Sequence, residues 1–474
     1  MPPKRHIYLL DPQKLTPETI AVTFAKTSRS PQSFREIAAE LSDEKSADFH
    51  EKWVVGYGHA SVAEHAVLHI AVENISRLAV ETLESNRLAS YTEKSSRYQV
   101  WSADQFILPP ELENHPLKEI YLQTCHDLFS AYEHALPILQ QAQQERCSQL
   151  PQETESAWQR RVRTQCVDVC RYYLPAAALA NVGMTINARS LEHAISKMLS
   201  HPLREVQAIG EDIKTIALDK VPTLVKYASL QPYLGEIGRN VEEIHQQVES
   251  SHPYIPADWF HLVKYDPQAE NNILAALLFR HGSGDYKHLL EELNHSSQLR
   301  DRLAHALWAN LTEHNTPQRE LEHASLTIDV VLDQGAYGEL KRHRMLTLTP
   351  QRFTTHHGFA MPALIRQAGL ENDFQKIMHA VENGYSKIQQ EFPEAASYLL
   401  PNAFNRRVLL SMNLRSAHHL IHLRTAPNAH FAMRRMACRL AEEIQKCHPL
   451  FATHFKSVNS ETSQQIEETY FSRT

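Results

Sequence analysis

The sequence predicts an α+β protein built from two copies of one helix-rich unit. Three observations carry that prediction: an internal repeat, long segments of helical periodicity, and a strand-like stretch at the same place in each copy. The repeat is clearest between "YYLPAAALANVGMTINARSLEH", ending at His193, and "YLLPNAFNRRVLLSMNLRSAHH", ending at His419. Set together without a gap, they place Leu174-Pro175 on Leu400-Pro401, Asn187-x-Arg189-Ser190 on Asn413-x-Arg415-Ser416, and His193 on His419. Upstream, one single-residue gap brings Glu64-His65 onto Glu322-His323, Arg87 onto Arg344 and Ser90 onto Thr347. A unit of roughly 200 residues is the size of a domain.

In chain order, "AVLHIAVENI" is β-branched and of strand length, and it leads into a helical pattern. "YLQTCHDLFSAYEHALPILQQAQ" and "SLEHAISKMLSHPLREVQAIGEDI" follow with the apolar spacing of helices. The stretch "QPYLGEIGRNVEEIHQQVESSHPYIPAD" is polar, carries prolines and reads as the connection. The expected division is therefore residues 1–230, a linker at 231–260, and residues 261–474. "SLTIDVVLDQ" then repeats the strand, and "ENGYSKIQQEF" and "SAHHLIHLRTAPNAHFAMRRMACRLAEEIQ" repeat the helices. Ser190 and Ser416 stand where N-caps are expected.

Composition narrows the function. A chain of 474 residues can bury sizeable cores, and a formal charge of −7 argues against a broad positive field, so no nucleic-acid polymer is expected as partner. No apolar run resembles a signal peptide or a membrane helix, which predicts a cytoplasmic protein without a membrane partner. The six cysteines contain no C-x-x-C and read as reduced and structural. Glycine is scarce, and "GYGHAS" lacks the third glycine and the preceding strand of a dinucleotide fingerprint. His418 and His422 stand at i,i+4 and His356-His357 are adjacent, but no third ligand has diagnostic spacing, and no metal is expected. The absence of G-x-S-x-G leaves a serine hydrolase unsupported.

One cluster stands out. Lys341, Arg342, His343 and Arg344 are consecutive and Arg352 follows, so the fold must offset their mutual repulsion, and a bound anion would do so. The first copy has Ser85-Asn86-Arg87 where the second has Arg342-His343-Arg344. Each Asn-x-Arg-Ser precedes a helical run, where free N–H groups and a positive dipole end suit a phosphate or a polar ring edge. His193 and His419, four residues after those arginines, share their helix face.

These motifs resemble the flavin-dependent thymidylate synthases, the ThyX family. Its signature is R-H-R, seven residues, then S, preceded by H-x-S-x-x-E-H and followed by R-x-x-x-L-P and N-A-R-S. The first copy reads "HASVAEH", "SNRLASYTEKSSRY", "RYYLP" and "NARSLEH"; the second reads "RHRMLTLTPQRF", "SYLLP" and "NLRSAHHLIHLR". The resemblance implies an α+β fold with a small antiparallel sheet in each unit. It implies transfer of a one-carbon unit from methylenetetrahydrofolate to C5 of dUMP through FAD, with NADPH as reductant. It also implies a homodimer acting as a pseudo-tetramer.

The departures are complementary. The first copy keeps Glu93, Ser95, Arg97 and Arg171, but lacks R-H-R and has Met198 where the family's activating arginine stands. The second keeps Arg342, His343, Arg344 and Arg424, but lacks E-x-S and has Ser397 in place of the L-P arginine. The resemblance thus implies a site shared between copies. Arg424 would be catalytic; Glu339, Arg342, Glu93, Ser95, Arg97 and Arg171 would bind nucleotide. Arg342, His343, Arg344, Glu93, Asn413, Arg415 and His193 would bind FAD. Glu339 at a usual glutamine, His193 at a usual asparagine and Thr347 at the motif's serine leave room for another uridine nucleotide, and an inactive homologue that binds nucleotide or a partner is the alternative.

Overall fold

The computed structural model describes residues 6–28, 30–56, 60–97, 99–249, 258–312 and 314–472. Tyr57 to His59, Tyr98 and part of the expected connection, 250–257, lie outside the described residues. Each copy is helix-rich around one antiparallel sheet. The first sheet joins β1 (Val67–Ser76), β2 (Ala89–Glu93) and β3 (Leu179–Asn187) in the order β1-β3-β2. The second joins β4 (Phe260–Tyr265), β5 (Ser325–Asp333), β6 (Thr347–Pro350) and β7 (Asn405–Asn413) in the order β4-β5-β7-β6. The expected strands are β1 and β5. The registers repeat as well, with Val67 opposite Asn187 in one sheet and Ser325 opposite Asn413 in the other.

The central strands β3 and β7 were not foreseen. In β3 the alternation is short, with Ala180, Val182, Met184 and Ile186 turned to the core. In β7, Arg406 and Arg407 interrupt the apolar pattern, and the fold accommodates them by pairing Arg406 with Glu81 at 2.7 Å and Arg407 with Asp329.

Two long helical expectations each divide in two. The first becomes helices Ala188–Leu199 and Arg204–Leu218, and the second Leu414–Arg424 and Phe431–Cys447. Pro202 and Pro427 stand in the breaks, where a ring without an N–H cannot continue the ladder. The stretch read as a connection contains a helix, Pro232–Glu249. The caps also differ from expectation: Asn187 and Asn413, not the serines, cap their helices, accepting from Ser190 N and Ser416 N at 2.8 Å. The amide oxygen is thereby used on the backbone. No helix among the described residues is long and apolar enough to cross a membrane.

The halves meet through equivalent residues. Pro175 bridges to its own repeat equivalent, Pro401. Around that point Ala176 N donates to Leu400 O (2.9 Å) and Asn402 N to Leu174 O (3.0 Å). Ala177 N donates to Tyr398 O (2.8 Å) and Ala403 N to Tyr172 O (3.2 Å). Each bond is matched by its counterpart, which is the signature of a two-fold contact, here formed inside one chain. Tyr172, Tyr398 and Leu400 are fully buried there, so one apolar core runs through both copies.

Candidate functional site

The site grows from two equivalent short helices that follow the first long strand of each copy. Helix Arg77–Leu83 starts on Ser76, whose hydroxyl accepts from Ala79 N, and helix Gln334–Leu340 starts on Asp333, whose carboxylate accepts from Ala336 N at 2.8 Å. The basic cluster is the chain leaving the second helix. A Cβ on Gly335 would stand 3.3 Å from Arg171 Nη2 and 3.1 Å from Asp333 Oδ1, so glycine at this position lets the arginine of one copy approach the helix of the other closely.

Two carboxylates organise the cleft between the copies. Glu93 of the first copy lies 3.0 Å from Arg77 and 2.9 Å from Arg342 of the second. Glu339 of the second lies 3.2 Å from Arg171 of the first and 3.0 Å from Arg424. Arg97 binds Asp168 through two 2.7 Å bonds and donates to Asn428 O at 3.1 Å, again crossing between copies. Ser95 Oγ accepts from Arg97 N at 3.2 Å. Counting Arg77, Arg97, Arg171, Lys341, Arg342 and Arg424 against Glu84, Glu93, Asp168 and Glu339 leaves an excess of two positive charges. A phosphate dianion would balance it.

Burial alone would raise the Glu93 carboxyl, but Arg77, Lys341 and Arg342 outweigh it and hold it at about 2. His343 is pushed down to about 3 by burial, then by Arg424 and His419. It is therefore a neutral ring, and its Nε2 accepts from Arg424 Nε at 2.9 Å, which puts the ring proton on Nδ1. Arg424 also donates to the backbone oxygen of Glu339 at 3.2 Å, so its planar fork is fixed from several sides.

Beside this cleft lies a second, of about 250 Å³, between Tyr91, Thr92 and Glu93 of β2 and Lys341, Arg342 and Arg344. Arg344 lies over the Tyr91 ring at 5.8 Å. Its repeat equivalent Arg87 mirrors it, donating to Leu346 O and Thr347 Oγ1 at 3.1 Å.

The structure thus brings together Glu93, Ser95, Arg97, Arg171, Glu339, Arg342, His343 and Arg424, with Arg344 adjoining. Asn413, Arg415 and His193 lie outside both clefts. Asn413 caps its helix, Arg415 is paired with Glu322 at 2.7 Å, and His193 is exposed on the other copy. Sequence reasoning missed Arg77, Asp168 and Asn428. A signal for Asp168 existed: the repeat sets it against Glu394, so both copies carry a carboxylate there. Of the i,i+4 pair considered for a metal, His418 is stacked on Trp308, which His454 also stacks against, while His422 is exposed.

A family model described as thymidylate synthase complementing protein matches residues 10–223 and again 261–450. The chain belongs to this family. An uncharacterised family protein (UPF0159) from Chlamydia muridarum is 30% identical over 89% of this chain and 83% of its own length. The flavin-dependent thymidylate synthase of Clostridium tetani is 26% identical over 45% of this chain and 82% of its own. A crystal structure of the flavin-dependent thymidylate synthase ThyX from Helicobacter pylori with FAD and dUMP covers 46% of this chain and 96% of its own at 20% identity, with a TM-score of 0.33.

In this member of the thymidylate synthase complementing protein family, the residues that stand for Arg171, His343 and Arg424 in the converse combination of copies are Ser397, Asn86 and Met198. Ser397 Oγ donates to Phe353 O at 2.7 Å. Lys197 donates to Asn86 Oδ1 at 2.9 Å, one residue before the buried Met198.

The depressed titrations give a pH expectation. His343 binds its proton in the unfolded chain near pH 6.5 but in the fold only near 3, so the unfolded state holds more protons between those values and stability falls as pH falls through that window. Glu93 extends the loss from about 4.5 down to about 2. His343→Gln should flatten the dependence between pH 6.5 and 3 in urea unfolding; an unchanged slope would mean that the ring is not held neutral.

Proposed function

We propose that the chain is a flavin-dependent thymidylate synthase acting on dUMP at one composite site per chain, formed inside the chain from both copies. The observation that carries this is the meeting of Arg342 and Arg424 from one copy with Glu93 and Arg171 from the other. Residues 1–230 and 261–474 each supply half the site, with 231–260 connecting them. The match to the flavin-dependent thymidylate synthase of Clostridium tetani supports the reaction class.

Arg97, Arg171 and Arg342 take the nucleotide phosphate by charge-assisted hydrogen bonds, with Ser95 and Glu93 fixing their positions. Arg424 faces the uracil edge. Its fixed charge stabilises the negative charge that develops as C5 becomes nucleophilic. Neutral His343 orients that guanidinium through Nε2, and Glu339 locks it to Arg171. No protein nucleophile is required.

The cationic cleft against Tyr91 fits a phosphate-bearing cofactor. Arg342, His343, Arg344 and Glu93 would hold FAD, with Asn413, Arg415 and His193 reaching it from a second chain in a homodimer. When bound, FAD supplies the relay of the one-carbon unit from methylenetetrahydrofolate and the redox step for which NADPH is the reductant. The setting is cytoplasmic. Glu339 favours a second reading, since a carboxylate at the usual glutamine alters the donors offered to the base: another uridine nucleotide as substrate.

Rescue of a thymidine auxotroph by this chain alone tests the reading, and failure of the purified, FAD-loaded chain to convert dUMP overturns it. Titration of apo-protein with FAD should end at one equivalent per chain. Two equivalents would show that the converse combination of copies also binds and that the composite site is not the single one.

A further inference from the structure

The two-fold contact between the halves contains a charge pair whose members are repeat equivalents of each other. Helices Arg77–Leu83 and Gln334–Leu340 occupy the same place in the two copies, and the residues that end them are Glu84 and Lys341. Those two side chains pair at 3.1 Å, with only 6% and 11% of their surface exposed. A contact related by a two-fold axis sets a residue against its own equivalent. If two N-terminal copies met, Glu84 would face Glu84; if two C-terminal copies met, Lys341 would face Lys341. Like charges at that separation in a desolvated contact repel strongly.

We propose that Glu84 and Lys341 form a pairing determinant that makes this face accept the unlike copy and reject the like one. Its partner is therefore the chain's own other half, and the face is closed to the same half of a second molecule. The backbone bonds around Pro175 and Pro401 do not discriminate, because they are symmetric and any two copies could form them. Unlike pairing is also what brings Glu93 to Arg342 and Arg171 to Glu339. The inference concerns assembly and stands whether or not the proposed reaction occurs.

Glu84→Lys builds into one chain the contact that two C-terminal copies would make. Glu84→Gln removes the same ion pair without adding repulsion. Thermal unfolding followed by circular dichroism should place the midpoint of Glu84→Lys about 5 °C or more below that of Glu84→Gln. Adding Lys341→Met to Glu84→Lys should recover most of that difference, because Glu93 keeps Arg77 and Arg342. If Glu84→Lys does not fold, recovery of a folded protein in the double variant is the same result. Equal midpoints for Glu84→Lys and Glu84→Gln, or no recovery on adding Lys341→Met, would overturn the proposal.

Discussion

Arg424→Ala is expected to lower the turnover of dUMP by about 10²–10³-fold, the usual cost of removing one preorganised donor from a site of developing charge. Its guanidinium is 14% exposed and is fixed by His343, by the Glu339 carboxylate and by the Glu339 backbone. It therefore needs little reorganisation when charge develops in front of it. Burial, and then Arg342 and Arg97 against the opposing pull of Glu339, lower its proton affinity from the ordinary arginine value, so it already stands among like charges that an anionic ligand relieves. Arg424→Lys should not restore the rate, because an ammonium cannot serve His343 and Glu339 in the same plane. Single-turnover assays with dUMP, beside the flavin absorbance of the purified variant, separate chemistry from cofactor retention. Full turnover in Arg424→Ala, or complete loss of the bound flavin, would remove Arg424 from the catalytic role.

Why is so much of the site legible in the sequence? The readable part was carried by differences between the copies. Each lost residue in one copy had a retained counterpart in the other, and the fold brings those retained residues to one cleft through backbone bonds centred on Pro175 and Pro401. What escaped notice depended on contacts that pattern does not encode. Arg77 shows nothing special in sequence, yet the approach of Glu93 across the sheet makes it a site residue. Asn428 contributes only a backbone oxygen, which any residue there could supply, and it can do so because Pro427 breaks the helix. The strands β3 and β7 were hidden for a related reason. In β7 the charged Arg406 and Arg407 are tolerated centrally because Glu81 and Asp329 pair with them, and in β3 small residues shorten the apolar alternation. Asn413 was legible as important but not as to why, since capping and ligand binding favour the same residue beside a helix start.

Removing Arg171 should affect both stability and nucleotide binding, because Glu339 joins Arg171 to Arg424. Arg171 is 3% exposed, and its loss leaves the Glu339 carboxylate in a buried contact with one cation fewer, a defect costing about 3 kcal/mol or more. For the ligand, Arg171→Ala and Arg424→Ala should each weaken dUMP by roughly ten- to a hundred-fold, the worth of one charge-assisted contact. The double variant should fall short of the product of the two losses, because residues that share Glu339 and one ligand do not act independently. Calorimetric titration of all the variants with dUMP measures this, and strict additivity would assign the two arginines to separate places. The connectivity makes a sharper demand. Arg171, Glu339 and Arg424 meet within one chain, so a mixture of Arg171→Ala chains with Arg424→Ala chains contains no molecule with a complete set, and mixing should recover no activity. Recovery of a substantial fraction of wild-type activity would require the two halves of a site to come from different chains, and the contacts through Glu339 could not then be those of the working enzyme.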